Sequence, residues 1–196
     1  MAKRKGGGWL SGAQAQEESI TRRSTLFSSL NSEPAQPYYK LNLENIKQRN
    51  GNDGLYTDAL VLSQEIAILQ RNKTNIFEYD PAPKTCAFIT CPAPNASRAL
   101  KCNVSLARIQ EVFKTRLDRV LAVAVACGYE GLVLGAWGCG VFGNDPKFVA
   151  STMMKLLTTK YKNKFKAVSF PLRRDDNKDA FEKAVLRGSK QGTKCG

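Results

Sequence analysis

Histidine is absent from this sequence, so no mechanism that needs an imidazole is open to it. The absence excludes Ser-His-Asp and Cys-His nucleophilic catalysis, metalloproteases of the HExxH type and metal sites with histidine ligands. Acid–base chemistry must therefore be carried out by carboxylates, lysines, tyrosines or thiols.

Paired cysteines are also lacking. None of the six cysteines forms a CxxC motif, and several lie in apolar stretches, where cysteine acts as a small hydrophobic residue. We therefore expect neither a structural zinc site nor a disulfide framework, and we predict no metal and no cofactor. The six are Cys86, Cys91, Cys102, Cys127, Cys139 and Cys195.

Long apolar runs are missing as well. No run is long enough to span a membrane, and the N-terminal stretch MAKRKGGGWLSG is basic but lacks the apolar region of a secretory signal. We expect no membrane partner and an intracellular protein, in the cytoplasm or the nucleus.

A chain of 196 residues that is 42% hydrophobic can bury one core, so we predict one domain over residues 1–188 and a basic tail over 189–196.

Positive charge is what the sequence has in excess. The formal net charge is +13, and residues 155–196 hold 12 basic and 4 acidic side chains. The excess has two interpretations, which the sequence leaves open: a solvated basic helix and tail, or a surface that binds nucleic acid or another phosphate polymer.

Helices and strands alternate through the C-terminal two-thirds, which favours a layered α/β domain with ligand loops at strand ends. The polar segment 31–55 is predicted to be a surface loop. Predicted strands are Leu60–Leu62, Ile66–Leu69, Thr85–Cys91, Gly131–Trp137 and Lys166–Leu172. Predicted helices are Glu17–Leu30, Ser105–Cys127, one that begins near Pro146, and Asn177–Leu186.

The first candidate motif is the glycine triplet Gly6–Gly8, followed after seven residues by Gln16, Glu17 and Glu18. Glycines let backbone N–H groups approach a ligand closely. Cleavage of a glycosidic bond needs a carboxylic acid that can protonate the leaving oxygen. The alternative is a flexible tail followed by the ordinary acidic first turn of a helix.

The second candidate motif, GAWGCGVFGNDP at residues 135–146, lies between a predicted strand and a predicted helix. Glycines at such a junction let backbone amides and the helix N-terminus face a diphosphate. The motif has no Walker lysine and does not match GxGxxG, which disfavours nucleotide-triphosphate hydrolysis and hydride transfer. The alternative is a tight strand–helix connection with Trp137 and Phe142 in the core.

Three segments, GGGWLSGAQAQEES, FITCPAPN and LVLGAWGCGVFGNDP, occur in the order seen in microbial-type poly(ADP-ribose) glycohydrolases, and the chain resembles that family from Gly6 to about Phe181. The resemblance implies a macrodomain-like α/β fold, a three-layer αβα sandwich with a mixed sheet. It also implies N-terminal truncation, because family members carry helices and a core strand before the glycine triplet. The implied activity is hydrolysis of ribose–ribose O-glycosidic bonds, which releases ADP-ribose.

The resemblance also assigns roles to residues. Glu18 would be the catalytic acid and Glu17 would hold ribose hydroxyls. Residues implied to bind substrate are Gly7 and Gly8 through their backbone, Gln16 as a support of the loop, Gly138, Cys139, Gly140 and Val141 around the diphosphate, and Phe142 against the ribose. Glu18 and the amides around Val141 would then act on the same ribose and its phosphates. The implied partner is poly(ADP-ribose) or an ADP-ribosylated protein.

Two other functions stay open at this point. The chain could bind ADP-ribose with little turnover, because the strand that should support the catalytic loop is missing. It could instead bind nucleic acid through its C-terminal lysines, in which case binding would depend steeply on salt and ADP-ribose would have no effect.

Overall fold

The computed structural model describes residues 3–48, 53–70, 80–172 and 176–192. By its internal contacts the chain divides into two compact units. Unit 1 comprises Met1–Asn52 and Tyr56–Pro92, and unit 2 comprises Asp53–Leu55 and Ala93–Gly196. The extent of the predicted domain, 1–188, stays a prediction. Of the predicted basic tail, residues 189–192 continue the last helix and residues 193–196 lie outside the described part.

After a short 3-10 helix at Trp9–Ser11, unit 1 has two short α-helices where the sequence predicted one. Helix α1 spans Gln16–Arg22 and helix α2 spans Leu26–Asn31. The break falls at Ser24, whose backbone forms an antiparallel bridge with Ile68 and whose hydroxyl donates to Ile20 O at 2.8 Å. A strand contact therefore replaces helical hydrogen bonding at this residue, which periodicity within one segment cannot indicate.

Helix α3, Gln36–Gln48, occupies most of the segment that was predicted to be a loop, so that prediction is wrong. Tyr38 and Tyr39 are buried and pack edge to face, with ring centroids 4.9 Å apart. The buried Asn42 donates to Tyr38 O at 2.9 Å and accepts from Thr57 N at 3.1 Å. Tertiary packing of this kind stabilises helices whose composition alone is unfavourable.

The strands of unit 1 form an antiparallel pair, β1 at Val61–Ala67 and β2 at Thr85–Thr90. The register shifts between Ser63 and Ile66, so the two short runs predicted here are one bulged strand. The core of unit 1 consists of Leu26, Leu30, Ala35, Tyr38, Tyr39 and Ile66.

Unit 2 is built around a long helix. Its elements are α4 at Ala96–Lys101, α5 at Leu106–Ala126, β3 at Gly131–Val133, α6 at Pro146–Thr158, β4 at Ala167–Ser169 and α7 at Asp176–Gly192. Ser105 caps α5 by accepting from Arg108 N at 3.3 Å. The sequence places six apolar residues at spacings of three and four on one face of this helix, and the structure buries four of them, Ile109, Phe113, Leu117 and Ala124, while Leu106 is 55% exposed and Val120 is half-buried. Strands β3 and β4 pair in parallel.

The alternation of helices and strands confirms the predicted α/β class. The strands supply one antiparallel pair in unit 1 and one parallel pair in unit 2, the two pairing directions that a mixed sheet combines. Across the described ranges no helix is both long enough and apolar enough to cross a membrane. The intracellular location, cytoplasmic or nuclear, stays a prediction.

Candidate active site

The glycine triplet forms a turn whose backbone conformation and close packing favour glycine. Gly6 and Gly7 have φ angles of +66° and +68°, in the left-handed region. A Cβ atom on Gly6 would lie 2.6 Å from Thr21 Cγ2, and one on Gly7 would lie 2.8 Å from Glu18 Cδ. The turn therefore lies so close to side chains of α1 that a Cβ at either glycine would overlap them.

Glu18 lies in the first turn of α1 with only 1% of its surface exposed. The Gly8 N–H donates to Glu18 Oε1 at 2.9 Å. The other carboxyl oxygen, Oε2, is also buried, and among the residues with described positions it has no hydrogen-bond partner. Buried polar groups are nearly always hydrogen-bonded, so an unpartnered carboxyl oxygen at this atom points to a group that meets a ligand.

Glu17 and Gln16 start the same helix but face different surroundings. Glu17 is half-buried, and its Oε2 lies 3.3 Å from the position of a Cβ on Gly7. Gln16 is exposed. Unit 1 thus brings Gly7 and Gly8 together with both glutamates, while the Gln16 side chain lies on the surface at the helix start.

Two further side chains, which the sequence analysis missed, hold the turn. Arg22 Nη2 donates to Trp9 O at 3.0 Å and also to Ala13 O. The Trp9 ring packs on Phe27, with centroids 5.0 Å apart. The spacing of Arg22, four residues after Glu18 on one helix, could have indicated that it shares a face with the acid.

The second motif forms a closed loop in unit 2. Gly138 and Gly143 have φ angles of +76° and +66°. The buried Asn144 donates from its side chain to Pro94 O at 2.8 Å and to Gly138 O at 3.0 Å, and its backbone N–H also donates to Gly138 O at 3.0 Å. Asn144 therefore closes the loop on itself and fastens it to the end of the PAPN segment.

The backbone N–H groups of this loop differ in whether they have a hydrogen-bond acceptor. The Cys139 N–H donates to Ala136 O at 3.0 Å, so it is occupied by the turn. The Gly140 and Val141 N–H groups have no acceptor among the described atoms, and Val141 is 81% exposed. Adjacent unfilled N–H groups in a glycine-rich turn can receive an anion.

The two aromatic residues of the motif, Trp137 and Phe142, lie in different surroundings. Trp137 packs against Phe113, with ring centroids 5.2 Å apart, and so belongs to the core of unit 2. Phe142 is half-buried, and its carbonyl accepts from Ser97 N at 3.0 Å. The alternative of a purely structural connection therefore holds for Trp137.

A comparison with protein families covers the part of the chain that holds the first motif. The family model of the microbial-type PARG catalytic domain, PARG being poly(ADP-ribose) glycohydrolase, matches residues 1–71, which include the glycine triplet and both glutamates. A comparison with curated proteins gives no match.

Solved structures extend the likeness to nearly the whole chain. Poly(ADP-ribose) glycohydrolase from Deinococcus radiodurans in complex with ADP-ribose is 37% identical at a TM-score of 0.85, and the match covers 95% of this chain and 73% of that one. A mutant of the enzyme from Thermomonospora curvata is 37% identical at 0.82, with 94% and 67% covered. The Thermomonospora curvata protein bound to the inhibitor ADP-HPD is 38% identical at 0.81, with 93% and 67% covered.

The fold and the carboxylate beside a glycine turn define a hydrolase of the glycosidase class. More narrowly, the chain belongs to the family of microbial-type poly(ADP-ribose) glycohydrolases. The family prediction made from the three sequence segments is confirmed.

Proposed function

We propose that this chain hydrolyses the O-glycosidic bond between ribose units of poly(ADP-ribose) and releases ADP-ribose. The observation that carries the proposal is the state of Glu18, which is buried, held through Oε1 by the Gly8 N–H, and left with an unpartnered Oε2 among the described residues. Relatives with ADP-ribose or the inhibitor ADP-HPD bound support the choice of substrate.

Glu18 acts as the general acid in this proposal. Its Oε2 carries the proton and passes it to the departing ribose oxygen, which takes the electron pair of the breaking C–O bond. Positive charge builds up at the anomeric carbon in an oxocarbenium-like transition state. Water then bonds to that carbon and gives a proton to the Glu18 carboxylate, which restores the acid. General acid catalysis of this kind contributes about 10²–10⁴-fold in rate.

The neighbours of Glu18 position the sugar. We assign Glu17 to the ribose hydroxyls, because its carboxylate lies beside the same glycine turn. Gly7 and Gly8 present backbone to the ligand, and Gln16 helps to position the loop. A hydrogen bond to the carboxyl from a backbone amide fixes the acid to within the tolerance that proton transfer needs.

The loop of unit 2 is assigned to the diphosphate. Gly140 and Val141 offer N–H groups that no described atom accepts, which supports the assignment. Gly138 and Cys139 shape the turn, since the Cys139 N–H is engaged with Ala136 O. Phe142 packs against the ribose.

ADP-ribosylated proteins form the second substrate class we propose, because a protein-attached polymer presents the same ribose–ribose bond. The experiment that tests the function follows free ADP-ribose released from labelled poly(ADP-ribose), with calorimetric binding of ADP-ribose measured in parallel. Release of ADP-ribose from the polymer together with binding of ADP-ribose would support the proposed hydrolase activity. Binding without release would instead identify a binding module, and neither response would contradict both.

A further inference from the structure

Unit 1 contains a recess that the Glu18 carboxyl group does not line. A cleft of about 940 Å³ lies between the N-terminal segment, the glycine turn and helix α3. We call it the basic cleft, because five cationic residues line it against the single carboxylate of Glu44. The cations are Lys3, Arg4, Lys5, Lys40 and Lys47. Its volume falls within the range of ligand sites, roughly 300–1,000 Å³.

Two buried polar atoms in the lining have no partner among the residues whose positions are described. One is the hydroxyl of Tyr39, a residue only 5% exposed, and the other is Trp9 Nε1. Burial raises the pKa of Tyr39 to about 12, so its hydroxyl keeps its proton at neutral pH. An indole N–H can only donate. The lining thus combines the five cations with two buried donor groups.

A lining of donors and cations selects a ligand rich in acceptors and negative charge, and phosphate oxygens meet both conditions. The cleft also has an apolar wall, formed by Trp9, Phe27 and Leu43. Cationic grooves interleaved with aromatic faces bind chains in which phosphates alternate with flat bases. The chemical class of the ligand is therefore a phosphate-linked nucleotide chain.

We propose that the basic cleft binds a further ADP-ribosyl unit of poly(ADP-ribose), beyond the unit that Glu18 acts on. The inference rests on the proposed function. Poly(ADP-ribose) is favoured over nucleic acid because Gly7 and Gly8 line the cleft while the Gly8 N–H holds Glu18 Oε1. One glycine turn thus borders the cleft and positions the acid, so that a polymer engaged at the acid has the cleft within reach.

The test measures binding in a Glu18→Gln background, in which the polymer is not consumed. The cleft pair is Lys40→Ala with Lys47→Ala, and a Tyr39→Phe variant removes one hydroxyl without changing the packing. The matched control is Lys155→Ala with Lys162→Ala, two exposed lysines of unit 2 that remove the same charge. The probes are labelled long poly(ADP-ribose), free ADP-ribose and single-stranded DNA.

We expect the cleft pair to raise the Kd for long polymer about tenfold, while the Kd for free ADP-ribose changes less than about twofold. The slope of log K against log salt should become shallower by about 1.4, since each phosphate contact on a single strand contributes about 0.7. Tyr39→Phe should weaken polymer binding by a smaller factor, and the control pair should lie near the Glu18→Gln parent.

Three results would overturn the inference. An unchanged Kd for long polymer in the cleft pair would show that the cleft does not bind the polymer. An equal loss of polymer affinity in the control pair would show that only total charge matters. Loss of DNA binding to the same degree as polymer binding marks a general polyanion site. Failure of the proposed function is seen separately, because wild-type protein would then release no ADP-ribose whatever the cleft variants bind.

Discussion

Gly7 packs directly against the carboxyl group of Glu18, so the conformation of the turn affects the position of the acid. Its φ angle of +68° strains any side chain, and a Cβ there would overlap Glu18. We predict that Gly7→Ala destabilises the protein by about 1–2 kcal/mol and lowers turnover by at least about a hundredfold, because the carboxyl must move. Thermal unfolding and the release of ADP-ribose measure the two effects.

The matched control for this prediction is Gly128→Ala. Gly128 has a similar φ of +73°, but a Cβ added there meets nothing within 4 Å. It should show the strain without the loss of turnover. Full turnover by the Gly7→Ala variant would contradict the close approach that the structure gives to Gly7 and Glu18.

At the scale of elements, the loop between β3 and α6 depends on Asn144. Its side chain joins the two ends of the loop and fastens them to Pro94 O. We predict that Asn144→Ala raises the KM and the Kd for ADP-ribose by roughly tenfold, with a smaller change in kcat. The buried Pro94 carbonyl loses this donor, the Gly138 carbonyl loses one of its two donors, and the loop loses its shape.

The neighbouring residue supplies the control. Asp145 caps α6 through Lys147 N and Phe148 N, and Asp145→Ala should cost about 1 kcal/mol of stability. If loop shape is what matters, affinity for ADP-ribose survives in Asp145→Ala and falls in Asn144→Ala. Equal losses of affinity in the two variants would show that stability alone is responsible.

Elements were predictable where the signal is local. Helix α6 begins at Pro146 as expected, and the apolar spacing of α5 gave its length to within a residue at each end. Helix α3 was missed because its stability comes from the burial of Tyr38, Tyr39 and Asn42 against the rest of unit 1. The sequence singled out the first glycine motif by its spacing and the second by its place between a strand and a helix, and the site roles of both stay predictions. The hydrogen bonds of Arg22 and Asn144 were not predicted, because they depend on tertiary structure.

For the molecule as a whole, acid stability depends in part on Asp118. Hydrogen bonds from Lys160 and Tyr161 lower the pKa of Asp118, with the bond from Lys160 the larger cause. A folded pKa below the unfolded one contributes stability above the unfolded pKa, and this is lost as the pH falls through the folded pKa. We therefore predict that Asp118→Asn lowers the midpoint of thermal unfolding at neutral pH and flattens its fall in acid.

Lys160→Met should flatten the same acid limb, because it removes the partner that lowers the pKa of Asp118. The measurement is thermal unfolding from neutral pH to about pH 2. If the unfolding midpoint of both variants falls with decreasing pH as steeply as that of the wild type, Asp118 and Lys160 do not contribute to the pH dependence of stability.

The assignment of the proton to Glu18 is tested most directly by ADP-ribose release from the Glu18→Gln variant, compared with Glu33→Gln, which neutralises an exposed glutamate of the same unit. Glu18→Gln should lose about 10²–10⁴-fold in kcat and still bind ADP-ribose, because the amide fills the same space but has no proton to give. Glu33→Gln should match the wild type. Wild-type turnover by the folded Glu18→Gln protein would contradict the role given to Glu18.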